Sequence, residues 1–335
     1  MEFMIDFASR FVTQLQSPTL AFLIGGAVLA ALGSKLSIPN SIYQFVVFVL
    51  LLRIGMEGGI EIREANLSEM LIPALAAVVT GVVIVILGRG FFSLLPSVQT
   101  VDGLATAGLF GAVSASTLAA GMVLLEQEEM YFEAWVPALY PFMDIPALVI
   151  AIILAQLHSG ASRSDTHEKP RVGSIITESL RGAALSALIL GVVLGLVARP
   201  DSVVESFYTP LFRGLLSVLM LILGMEAYAR LHELRHVGHW FALYAVVAPI
   251  IHGFIGFGLG YIAHVLVGFS PGGVVLLSVI AASNSDISGP PTLRGGIPEA
   301  NPSAYIGAST SLGTPIAIAV GIPLFFALAQ VVFPA

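Results

Sequence analysis

No cysteine occurs in the 335 residues of this chain. That excludes disulfides, thiolate metal sites and thiol catalysis together. Charge is nearly as scarce: Asp, Glu, Lys and Arg make up 10% of the residues, against about 25% in an ordinary soluble domain. A water-soluble protein of this length must still cover itself with polar groups, so the deficit excludes water as the solvent for most of the surface. With 14 basic residues and a net charge of −7, there is no basic patch for nucleic acid. The opening Met1–Ser17 carries Glu2, Asp6 and a single Arg10 in place of a basic leader, so the apolar run Thr19–Leu32 is expected to be a retained first span.

What is present is apolar: 57% of residues are hydrophobic and the mean hydropathy is +0.94. A bilayer span takes about 20 mainly apolar residues. By that measure the chain is an all-α polytopic membrane protein with ten expected spans. They are Pro18–Gly33, Ser41–Glu57, Met70–Leu94, Gly103–Leu125, Glu133–Leu157, Ser174–Ala198, Pro210–Ala229, His239–Val267, Gly272–Pro290 and Ser303–Phe333. The most polar connection, 158–173, divides the chain into a first unit, 1–157, and a second, 174–335.

The halves are related. A shift of 169 residues lays Gly55-Met56-Glu57 on Gly224-Met225-Glu226, Ser114 on Ser283, Ser116 on Ser285 and Pro146 on Pro315. Five spans per repeat is an odd number, so the second repeat is expected to cross the membrane inverted. Transporters built this way bind their substrate near the midplane, where the repeats meet. Lys and Arg set the orientation. One side of the expected topology carries Arg10, Arg53, Arg63, Arg199 and Arg213. The other carries Lys35, Arg89, Arg163, Lys169, Arg171, Arg181, Arg230, Arg235 and Arg294. The richer side is expected to be cytoplasmic, with both termini outside.

Span four contains Gly111-Ala112-Val113-Ser114-Ala115-Ser116-Thr117, and span nine contains Ser283-Asn284-Ser285-Asp286-Ile287-Ser288-Gly289-Pro290-Pro291. Neither suits a lipid-facing helix. Small hydroxylated residues also serve helix–helix packing, but two such patches at equivalent repeat positions favour a site. The tandem prolines, with Gly289 before them, are expected to interrupt the helix. A broken helix is tolerated in a bilayer only against protein or a wet cavity. Both spans are therefore expected to be interrupted and to cross. Half-helix N-termini offer N–H groups and partial positive charge to an anion, while carbonyl ends and carboxylates suit a hard cation such as sodium.

Asp144, in Tyr140-Pro141-Phe142-Met143-Asp144-Ile145-Pro146, and Asp286 are the acids least able to reach water. An ionisable residue at membrane depth points to function by default. The plainer role for Asp144 is holding backbone N–H groups at a proline-broken segment. Its repeat position is Gly313, within a stretch whose Ser309, Thr310, Ser311 and Thr314 are further candidate ligands. His252 and His264 are read as packing residues, and Glu57 and Glu226 as caps at equivalent helix ends. His158, His167, His232, His236 and His239 lack metal-ligand spacing.

These strings carry a family resemblance. Gln16–Gly26, Gly108–Ser114, Ala138–Leu148 and Ser285–Arg294 are long and specific. Over nearly its whole length the chain resembles the cyanobacterial sodium-dependent bicarbonate transporters. The resemblance implies bicarbonate as substrate, sodium as coupling ion and the plasma membrane of a cyanobacterium, serving carbon concentration. It also implies a homotrimer, an elevator motion of a core domain against a scaffold, and a PII-like, adenine-nucleotide-sensing regulator on the cytoplasmic face. The 158–173 loop is shorter than in some relatives, which carry a long hydrophilic insert there.

The expected bicarbonate site is Gly111, Ala112, Ser114, Ser116, Thr117, Ser283 and Asn284. The expected sodium ligands are Asp144, Ser285, Asp286, Ser288, Thr310, Ser311 and Thr314. No enzymatic activity is expected. A symporter of another small anion such as sulfate or a carboxylate, and an anion channel, are the alternatives. An intramembrane aspartyl protease lacks its Gly-x-Gly-Asp context, since Ser283-Asn284-Ser285 precedes Asp286.

Overall fold

A computed structural model describes residues 18–64, 67–162, 183–230, 238–285 and 289–333. Among them every regular element is helical. In order they are α1 (Pro18–Ala31), α2 (Asn40–Glu64), α3 (Leu67–Ser93), α4 (Thr100–Gly111), α5 (Ala115–Gln127) and α6 (Tyr140–Ser162), the last entered through a 3-10 turn, Val136–Leu139. Then come α7 (Ala183–Val197), α8 (Thr209–Arg230), α9 (His239–Val267), α10 (Pro271–Ala282) and α11 (Gly289–Gly296). The last segment runs from α12 (Pro302–Ala308) through π-helical turns Ser309–Gly313 and Ala317–Gly321 to α13 (Ile322–Val332).

Among the described residues seven helical segments are long and apolar enough to cross a membrane. Three shorter apolar helices, Ala21–Ala31, Ser186–Val197 and Pro271–Ala282, overlap the other expected spans. Large apolar side chains such as Phe45, Leu71, Ile86, Leu190 and Ile262 point outward, a surface that suits lipid and not water. The segment Thr100–Gln127 is different. Its most apolar stretch is wholly buried, although it holds the Ser114-Ala115-Ser116-Thr117 run.

The helices form two packing groups. In one, α2 lies along α7 and α8 along α1. Both pairings bring backbones together through glycine. A Cβ on Gly55 would stand 2.9 Å from Gly191 Cα, and one on Gly195 would stand 2.8 Å from Gly59 Cα. Gly26 and Gly224 likewise lie on the Leu221 and Leu23 carbonyls. Glycines four apart, 55/59 and 191/195, present one flat face per helix, the small-residue pattern that lets membrane helices approach closely. In the other group α3 packs on α4, α6 and α9, and α9 on α10.

Acidic staples tie the groups of elements at helix starts. Glu133 accepts from the Ser270 N–H at 2.9 Å and from its hydroxyl at 2.7 Å, and Ser270 in turn caps α10 at Gly273. Asp102, in the first turn of α4, accepts from Asn301 N–H at 2.7 Å. Loss of such caps costs about 1 kcal/mol each, up to about 2. Glu133→Ala should therefore lower the thermal midpoint in detergent, with transport intact in protein that remains folded. An unchanged midpoint would show the staple to be idle.

Several expectations need correction. Gly289-Pro290-Pro291 lies in the first described turn of α11, where a missing proline N–H costs little. The described interruption lies upstream, at Ser283–Ser285. The α6 helix is also not broken at its prolines, and continues through Pro146 to Ser162, past the expected boundary at 157. Arg53, within the second expected span, is buried inside α2, bonded to Glu57 at 2.8 Å, 3.6 Å from Glu126 and stacked 4.0 Å over Phe212. Glu57 is therefore an ion-pair partner inside a helix, not a cap at its end.

Candidate functional site

The two interruptions meet. Residues Ala112-Val113-Ser114 separate α4 from α5, and α10 ends before Ser283. Ser114 N–H donates to Ser283 Oγ at 3.0 Å across 169 residues of sequence, the same separation as the repeat shift.

Bookkeeping of one helix turn explains how the first break is held. In a continuous helix the Val113 N–H would donate to the Leu109 carbonyl. Here the Leu109 carbonyl accepts from Ser285 N–H at 2.9 Å instead. Val113 N–H goes to Asp144 Oδ1 at 2.9 Å. The Val113 carbonyl, which would serve Thr117 N–H, accepts from the Tyr140 hydroxyl at 3.0 Å. Thr117 N–H turns to Ser114 Oγ at 3.2 Å, which makes Ser114 the cap of α5. These four freed backbone groups thus find partners, as buried ones must.

The second break is held from the C-terminal segment. Asn284 meets the hydroxyls of Ser309 and, at 2.9 Å, Thr314. With its Nδ2 turned to those hydroxyls, its oxygen accepts from Thr314 N–H at 3.1 Å. Gly313 lets this segment lie on Asn284, since a Cβ there would stand 2.6 Å from the Asn284 amide group and 2.7 Å from the Phe110 ring. Position 309 is Tyr140 shifted by 169 residues. At matching places, then, the last segment of each half grips the break of its own half.

Ser114, Ser116, Thr117, Ser283, Asn284 and Ser285 are thus gathered, with Asp144 and Thr314 reaching in. Ser114 and Ser116 hydroxyls lie 2.9 Å apart, and Ser285 Oγ accepts from Gly289 N–H at 2.8 Å. Gly111 and Ala112 are buried, and Gly111 faces Ala147 and Val85, so only its backbone is available to a ligand. The Thr310 hydroxyl donates to the Ile306 carbonyl at 2.8 Å. Asp286 and Ser288 lie outside the described residues, as does most of the 158–173 connection.

Among the described candidate site residues, three buried oxygens make no hydrogen bond: Asp144 Oδ2, Thr117 Oγ1 and Ser311 Oγ. Native proteins leave few such groups unmet. A carboxylate and hydroxyl oxygens are the donor set a hard cation takes. The N-terminus of α5, with Ser114 at its head, is of the opposite character and suits an anion.

Two further groups follow the plainer readings. His264 Nδ1 bonds the Phe269 carbonyl at 2.6 Å, and His252 lies buried 3.4 Å from the Tyr244 hydroxyl. Sequence reasoning missed the grip of Tyr140 on Val113. A signal existed: Tyr140 and Asp144 are one helical turn apart and so share a face.

A family model described as the Na+-dependent bicarbonate transporter superfamily matches residues 18–330. No curated protein matches the chain.

Proposed function

The chain belongs to the Na+-dependent bicarbonate transporter superfamily, and we propose that it is a symporter moving bicarbonate with sodium through the crossing of the two broken helices. The observation that carries this reading is the unpartnered, buried Asp144 Oδ2 beside the anion-facing start of α5. Sodium takes Asp144, with Ser285, Thr314, Ser311 and Thr310 as further oxygen donors and Asp286 and Ser288 as sequence candidates. Bicarbonate lies against Ser114, Ser116, Thr117, Ser283 and Asn284, with the backbone of Gly111 and Ala112 beside it. Opposite charges 4 Å apart attract by about 4 kcal/mol at an effective dielectric of 20. That is on the order of a thousandfold in affinity, enough for each ion to depend on the other.

The architecture we infer is ten spans in two inverted repeats of five, with units 1–157 and 174–335. A two-fold axis brings equivalent residues near it into contact, and Ser114 with Ser283 is such a pair. It also exchanges α1 with α7 and α2 with α8, so the α2–α7 and α1–α8 packings become one interface seen twice. The α1, α2, α7, α8 group would be the scaffold, and the group bearing the breaks the core that rides against it. A homotrimer in a cyanobacterial plasma membrane with both termini outside, bound by a PII-like regulator, completes the reading.

The test is uptake of labelled bicarbonate into proteoliposomes at clamped internal pH, with an inward sodium gradient and then with potassium in its place. Concentrative uptake with sodium alone is expected. Equal uptake in both salts would replace the symporter by a channel or uniporter, and competition by sulfate or carboxylates would expose a different anion.

A further inference from the structure

Tyr140 and Asp144 act on one residue. From adjacent turns of α6 they take both backbone groups of Val113, the hydroxyl at its carbonyl and Oδ1 at its N–H. Holding both groups fixes the two peptide planes that flank Val113. One of those planes carries the Ser114 N–H, and Ser114 opens α5. The direction of the first donors of α5 is therefore set from α6.

Among the described residues the second half does not repeat this device. Position 309 grips the side chain of Asn284 and no backbone group of it through the hydroxyl contact, and the position matching Asp144 is Gly313. A simple cap would need one acceptor oxygen. Asp144 supplies one and keeps the other, Oδ2, buried and unpartnered. Its two oxygens thus face two tasks.

We propose that the Val113 peptide is the link between the cation and anion sites, and that Tyr140 is the positioning residue that makes the link stiff. A cation on Asp144 Oδ2 orients the carboxylate. Oδ1 then holds Val113 N–H, and the α5 donors come to rest where an anion meets them. Tyr140 touches neither ion. It pins the carbonyl side of Val113, so that a shift of the carboxylate turns the peptide toward α5 and is not lost in slack. The inference rests on the cation-ligand role given to Asp144 under the proposed function.

The experiment is the apparent KM for bicarbonate in proteoliposomes at low and at saturating sodium, for the wild type and Tyr140→Phe. The phenyl ring keeps the packing of this buried side chain and removes only the donor. In the wild type, saturating sodium lowers the KM many-fold. In Tyr140→Phe that sodium-dependent ratio falls about tenfold, the size of one lost hydrogen bond, while the maximal rate per folded transporter stays within about twofold. A reduced maximal rate with an unchanged ratio would make Tyr140 merely structural and overturn the proposal. A wild-type KM indifferent to sodium would instead overturn the premise, and the two failures are told apart by which protein shows them.

Should Tyr140→Phe not fold, amide exchange in the wild type answers the same question. Peptides covering residues 112–117 should exchange more slowly in sodium than in potassium, with no bicarbonate present. Equal exchange in the two salts would overturn the link.

Discussion

Asp144→Asn will abolish sodium activation of bicarbonate uptake, by on the order of a thousandfold in apparent sodium affinity, and leave the protein assembled. The size follows from the charge. About 4 kcal/mol of attraction between ions 4 Å apart at an effective dielectric of 20 disappears when the carboxylate becomes an amide. Assembly survives because the amide oxygen can still accept from Val113 N–H, the bond Oδ1 makes at 2.9 Å. Asp144→Ala removes that acceptor too. It leaves a buried backbone donor unmet, which costs about 1–3 kcal/mol, and should lower the thermal midpoint as well as stop transport. Sodium titrations of uptake, read beside size-exclusion profiles, separate the two variants. Normal sodium activation in Asp144→Asn would remove this residue from the cation site.

Gly224→Val will prevent assembly, and Gly55→Val will do the same. A Cβ at 224 would overlap the Leu23 carbonyl and lie 2.9 Å from Ala27 N; one at 55 would overlap the Leu188 carbonyl and lie 2.9 Å from Val192 N. Overpacking a side-chain core costs about 1–3 kcal/mol, occasionally more. Here the obstacle is backbone in a facing helix, which cannot turn aside as a side chain does. Gly214→Val is the control in the same helix α8, because nothing lies within 4 Å of a Cβ there. Monodisperse protein from Gly214→Val and aggregate from the other two is the expected outcome on size exclusion. Monodisperse Gly224→Val would mean that α1 and α8 do not pack as closely as the structure has them.

The all-helical, membrane-spanning character was legible in the sequence. Apolar runs of span length and the lack of charge leave few solutions, since a backbone in lipid must bond within its own helix. Of the residues matched between the two halves, Ser114 and Ser283 lie at the described interruptions and are in contact. Local signals were weaker where one residue type serves two ends. Pro290 and Pro291 read as a break and lie in the first described turn of α11, since proline is costly inside a helix but costs little in its first turn. Pro146 reads as a break and is carried within α6. Arg53 could be placed in the second span but not its partners: inside α2, Glu57 and the Phe212 ring neutralise and cover it.

The sequence by itself determined that this chain is helical and membrane-embedded, and marked Ser114 and Ser283, one shift of 169 residues apart, in stretches that interrupt its helices. Those properties follow from composition and from order along the chain. Only the tertiary structure decided who completes each interruption: that Leu109 turns to Ser285, that Tyr140 and Asp144 divide Val113 between them, and that Asp144 keeps one oxygen unmatched. A broken helix creates unmet donors and acceptors at a known place. Which distant groups meet them depends on how the helices pack, and that packing is set by glycine faces and buried side chains far along the chain.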